Sequence, residues 1–177
     1  MLETSGVSFW ETTIRFFSFF TILTNLIIAL YFTFNIIENN SSQFARSGTL
    51  TAITVYILIV GLVYQIVLRQ TWNPVGLQKV TDELLHSIIP LFVIIYWYLY
   101  ENKKGLHYRM ILSWAVYPLL YLIYILIRGS FSGFYPYPFM NVAELGWAKV
   151  LANAFLILIF FIGLSALLIR LKKAVNR

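Results

Sequence analysis

Five long apolar segments crowd into 177 residues and leave little else to fold. They fall at about 16–37, 49–68, 82–100, 110–127 and 149–171. A helix rising 1.5 Å per residue needs roughly 20 residues to cross a hydrocarbon core of about 30 Å. Each segment reaches or approaches that length. Backbone groups in lipid must be satisfied within the protein, which selects helices over an open sheet. The expected fold is therefore all-α: one polytopic transmembrane bundle of five spans, with residues 1–177 as a single integral membrane domain. Pro90 and Pro118 lie inside the third and fourth segments, where proline is tolerated and kinks the helix.

Composition removes several function classes. Hydrophobic residues make up 60% of the chain and charged ones 11%, too few for a separate soluble domain. Cysteine is absent, which excludes disulfides, thiolate metal sites and a cysteine nucleophile. No phosphate-binding loop or dinucleotide motif is visible, so neither a cofactor nor a metal is expected. The net charge of +6 resides at helix ends and in loops, a membrane pattern rather than a nucleic-acid one. Residues 1–15 lack a basic stretch leading into an apolar core, so no removable signal peptide is expected. The Asn39-Asn40-Ser41-Ser42 stretch contains glycosylation sequons.

With five spans, Arg15, Arg69, Lys79, Arg128 and Lys149 share one side. Arg46, Lys103, Lys104, Arg109, Arg170, Lys172, Lys173 and Arg177 share the other. The positive-inside rule then places the C-terminus in the cytoplasm and the N-terminus outside. On that reading the sequons are cytoplasmic and carry little weight.

The same topology gathers polar chemistry at the outer end. Asp82, Glu83 and His86 open the third span, and an ionisable residue in a membrane helix is a functional-site candidate by default. Arg15, Ser18, Arg69, Asn73 and Arg128 fall at that level. The aromatic, proline-rich loop Gly133–Asn141 with Tyr135 and Tyr137 follows, then Asn153. That loop reads either as a cover over an outer pocket or as an interfacial aromatic belt. Ser18, Thr21 and Thr24 recur every three residues of the first span, a stripe that serves close helix packing as readily as catalysis.

Set together, the hydroxyls and the imidazole meet a chemical requirement. A hydroxyl is a poor nucleophile until a base takes its proton. Imidazole, with an unperturbed pKa of about 6.5, is the usual base. Asp82 or Glu83 could orient the ring, although Asp82 could also simply cap the helix.

Arg15-Phe16-Phe17-Ser18-Phe19-Phe20-Thr21 and the stretch Asp82 to Phe92 resemble the androgen-induced and androgen-dependent integral membrane proteins. Those are six-helix, threonine-type hydrolases of fatty acid esters of hydroxy fatty acids. The resemblance is greater to the family's uncharacterised bacterial branch, through Arg69…Trp72-Asn73-Pro74, Asp82-Glu83-Leu84-Leu85-His86, Tyr117-Pro118, Arg128-Gly129 and Gly133 to Phe139. It spans about residues 12 to 170. It implies that His86 is the catalytic histidine and that the nucleophile falls on Ser18, with Thr21 one turn deeper as its rival. It also implies a bacterial inner-membrane protein. The family's first helix has no counterpart here, so the five helices seal the pocket alone or a neighbouring copy in a homo-oligomer completes it.

The expectation is a Ser/Thr–His hydrolase of lipid-like esters surrounded by membrane lipids, with no nucleic-acid partner. Ser18, Thr21, His86 and Asp82 would perform the chemistry. Arg15, Arg69, Asn73, Glu83, Arg128, Tyr135, Tyr137 and Asn153 would hold the substrate, the arginines by pairing with a carboxylate or by merely snorkelling. The alternative is a non-enzymatic lipid- or amphiphile-binding protein or helper subunit, in which the same groups form a buried network that fixes helix packing.

Overall fold

The computed structural model of the chain describes residues 6–37 and 47–174. The sequons at Asn39 to Ser42, with Arg46 and Arg177, lie outside them. Among the described residues the structure is helical with no strand. Helix α1 (Phe9–Phe17) is short and amphipathic. Ser8 caps it by accepting from the Glu11 N–H at 3.3 Å, and Glu11 and Arg15 complement its two ends. It buries no residue, and Phe9 and Trp10 stand exposed, the arrangement of a helix lying at a membrane interface.

Among the described residues, five helical rods are long and apolar enough to cross a membrane: Phe20–Ile37, Thr49–Leu68, Leu77–Tyr100, Met110–Ser132 and Val142–Ala174. The first is α2 (Phe20–Ile37). The second is α3 (Thr49–Val63), continued by a π turn, Tyr64–Leu68. The third joins α4 (Leu77–Glu83) through a π turn, Leu84–Ile88, to α5 (Ile89–Tyr100). The fourth is α6 (Met110–Trp114) followed by α7 (Val116–Ser132), and the fifth is α8 (Val142–Ala174), broken near its start at Gly146.

The boundaries differ from the sequence-based ones at identifiable places. The first span starts at Phe20 rather than 16, because the helix ends at Phe17 and restarts. The third starts at Leu77 rather than 82, straight after Gly76, whose φ of 59° suits a residue without a side chain. His86 is thus not at the mouth of its helix. It lies more than two turns inside and is 8% exposed.

Helix α3 is the axis of the bundle: 67% of its span is buried, against 22–28% for the other four. It packs against α2, α5 and α8. At one end the Glu101 carboxylate accepts the Thr51 N–H at 2.8 Å and its hydroxyl at 2.7 Å, closing the start of α3. Both internal prolines free a carbonyl one turn earlier. Pro118 frees that of Trp114, which the Tyr56 hydroxyl takes at 2.7 Å. Pro90 frees that of His86, and the turn before it widens into the π form. Gly61 of α3 lies against this turn; a Cβ there would stand 3.0 Å from the His86 carbonyl oxygen and 3.3 Å from the Pro90 ring. Close approach of the two helices at the level of His86 follows.

Candidate functional site

The site is built around interruptions of helical hydrogen bonding. Between α1 and α2 the ladder lapses at Ser18 and Phe19, leaving backbone groups that must find other partners. Two tyrosines provide them. Tyr121 of α7 donates its hydroxyl to the Ser18 carbonyl at 2.8 Å. Tyr137, from the loop before α8, accepts the Thr21 N–H at 3.3 Å. The Ser18 hydroxyl is itself occupied: it donates to the Ile14 carbonyl at 2.7 Å and lies 3.2 Å from the Tyr124 hydroxyl.

The break turns Thr21 toward the π turn Leu84–Ile88. Its hydroxyl lies 3.2 Å from His86 Nε2. On the far side of the ring, Nδ1 is 2.9 Å from the Asp82 backbone carbonyl and 3.3 Å from the Asp82 carboxylate. A carbonyl can only accept, so Nδ1 carries the proton of the neutral ring. Nε2 is then a bare acceptor and Thr21 donates to it. Tyr64, from the π turn of α3, stacks on the imidazole with ring centroids 4.3 Å apart. Its hydroxyl donates to the second carboxylate oxygen of Asp82. Hydroxyl, imidazole and carboxylate therefore form a relay, with Thr21 and not Ser18 at its head. Such an order lets the ring take the hydroxyl's proton while the carboxylate stabilises the imidazolium.

Of the two acids, Glu83 points elsewhere. It pairs with Arg69 at 2.5 Å and accepts from Ser87 at 2.6 Å, while Arg69 also reaches Gln65 at 2.5 Å. The two carboxylates should accordingly separate in mutagenesis. If the relay hydrolyses esters, Asp82→Asn should lower turnover by about 10²-fold or more, through a disfavoured tautomer and imidazolium. Glu83→Gln should leave turnover within about threefold, since it touches only an exposed ion-pair network. Steady-state kinetics on the two purified variants decides this, and equal losses would dissolve the distinction.

On the other side of Thr21 lies a cavity of about 120 Å³, walled by α2, α3, α7, α8 and the Tyr137–Met140 segment. Its walls are apolar except for Thr21 and three tyrosines, Tyr56, Tyr121 and Tyr137. Thr21 thus stands between an apolar chamber and a polar relay. Tyr137 is buried, and that burial pushes its phenol above the usual 10, so it stays a proton donor at neutral pH.

The remaining candidates are more dispersed. Arg15 and Arg128 both pair with Glu11, at 2.9 and 2.7 Å, and both lie over the Phe134 ring, fastening α1 to the end of α7. The Arg15 bond above all holds the Glu11 carboxyl below the usual range, with Arg128 adding to it. All three arginines at this level thus already have a carboxylate partner. Asn153 donates to the Phe139 carbonyl at 2.8 Å and anchors the covering loop. Tyr135 fills the space over Gly129, where any side chain would collide with its ring. Asn73 is exposed away from the relay. Tyr64, Tyr121 and Glu11 were not anticipated. The only signal for Tyr64 is its eight-residue spacing from Tyr56, which puts both tyrosines on one face of α3.

Compared with family models, curated proteins and solved structures, the chain matches none of them.

Proposed function

We propose that the chain is a membrane-embedded hydrolase of carboxylic esters, with Thr21 as nucleophile and His86 as its base. The observation that carries this reading is the 3.2 Å contact between the Thr21 hydroxyl and His86 Nε2, with Nδ1 held by the Asp82 carbonyl, at the wall of an apolar cavity. In the reaction, Nε2 takes the hydroxyl proton as the oxygen attacks the ester carbonyl. The protonated ring returns that proton to the departing alcohol, leaving an acyl-threonine. Water, deprotonated by the same nitrogen, then releases the acid and restores the threonine. Tyr137 supplies a donor for the oxyanion. Its oxygen accepts the Thr21 N–H, and since the Thr21 hydroxyl donates to Nε2, its own proton points at the Thr21 oxygen 3.4 Å away, from where it turns to the charge that develops beside it.

The apolar cavity favours a lipid-like substrate with an acyl chain, drawn from the surrounding membrane. Resemblance to the fatty acid ester hydrolases points to the same chemical class. The test is hydrolysis of p-nitrophenyl esters, with labelling by a fluorophosphonate probe, on the full chain in lipid nanodiscs. Turnover and labelling in the parent, both lost in Thr21→Ala, support the reading. Neither in a folded parent leaves the non-enzymatic amphiphile-binding protein.

The resemblance suggests a bacterial inner-membrane protein, and the split of five Lys and Arg against eight supports a C-terminus in the cytoplasm and a relay toward the outer face. A reporter fused after Arg177 should be active only in the cytoplasm, and one placed at Gly133 only outside. The reverse pattern would mirror the site to the inner face.

A further inference from the structure

The depth of the chamber below Thr21 can be measured along two helices. On α3, Tyr64 stacks on His86 beside Thr21, whereas Tyr56 lines the cavity eight residues earlier. On α8, Asn153 holds the covering loop at Phe139, whose ring stacks on that of Tyr137 at 5.3 Å; Phe161 lines the cavity eight residues later. Each interval spans about 12 Å at the helical rise. At the far end the Tyr56 and Phe161 rings stack, 12° from parallel with centroids 6.2 Å apart. Tyr56 is pinned there by its bond to the Trp114 carbonyl, and Phe161 is 2% exposed. The chamber therefore has a floor.

We infer that this floor limits the acyl chain, so that the site prefers esters of medium-chain acids, of about eight to ten carbons, over long-chain ones. A depth of about 12 Å takes roughly nine or ten methylenes, since a C–C bond of about 1.52 Å advances an extended chain by about 1.25 Å. This inference rests on the hydrolase reading for its reactive end, while the floor itself is a property of binding.

The experiment measures chain-length profiles in two ways on the full chain in nanodiscs: hydrolysis of p-nitrophenyl esters from four to sixteen carbons, and thermal stabilisation by saturated fatty alcohols of the same lengths. Both should peak at about eight to ten carbons and fall at least about tenfold in kcat/KM, or lose the shift in Tm, by fourteen. Phe161→Ala lowers the floor and should move both optima longer by several carbons. Phe161→Leu, a milder change should alanine fail to fold, should move them in the same sense by less. Val60→Phe, filling the wall halfway down, should move them shorter. An alcohol cut-off without any turnover would keep the floor and remove the hydrolase. Turnover with a flat profile, or profiles that the folded Phe161 variants leave in place, would overturn the floor.

Discussion

His86→Ala should reduce ester turnover by about 10²- to 10⁴-fold, the range a positioned general base supplies. The variant should still insert and purify as a helical protein. His86 links Thr21 to Asp82 through its two ring nitrogens, and its loss leaves a buried hydroxyl and a backbone carbonyl without those bonds. That costs about 1–3 kcal/mol and leaves untouched both the insertion of the spans and the close packing between them. A cooperative melt lowered by only a few degrees, with turnover lost, therefore separates a base from a packing residue. In the parent, turnover should fall as the pH is lowered through the titration of the ring, since only neutral imidazole accepts the threonine proton. A His86→Ala protein as active as the parent would end the mechanism.

Thr21→Ala should be at least as damaging, because no acyl-enzyme can form, and it should abolish probe labelling outright. Thr21→Ser keeps the hydroxyl but loses the methyl that restricts its rotamer, so activity should survive within about tenfold. The informative control is Ser18→Ala. Ser18 is fully buried, but its hydroxyl is spent on Ile14 and Tyr124. Turnover should persist in that variant, with a loss of stability of about 1 kcal/mol from the missing bond. If Ser18→Ala were inactive and Thr21→Ala active, the relay drawn above would have the wrong head.

The five helices could be read from the sequence because lipid imposes length and backbone self-sufficiency. The choice between Ser18 and Thr21 could not. Both lie on one stripe of residues three apart, and the break between them carries neither proline nor glycine. It exists because Tyr121 and Tyr137, over a hundred residues away, take up the backbone groups it frees. The i, i+4 pairing of Asp82 with His86 was legible, since one helix contains it. What each acid does was not: Glu83 is claimed by Arg69 from another helix. Nor did hydrophobicity mark α3 as the axis, because a side chain facing lipid and one facing protein are equally apolar. The shared level of Arg15 and Arg128 could be predicted, but their common partner Glu11 required a contact across 117 positions.

The π turn at Leu84–Ile88 bears on how such a site arises or disappears. A π turn amounts to a single surplus residue inside an α-helix, and each α-helical residue contributes about 100° of rotation. Removing one codon from this stretch would take out the surplus and restore a regular ladder with both flanks still in phase, but the widened turn that carries the imidazole would be gone. The imidazole would be drawn off Thr21 while every span kept nearly its length and its hydropathy. In a bundle of this kind, the proposed chemistry and membrane insertion are inherited separately: a one-residue deletion can silence the first and leave the second intact.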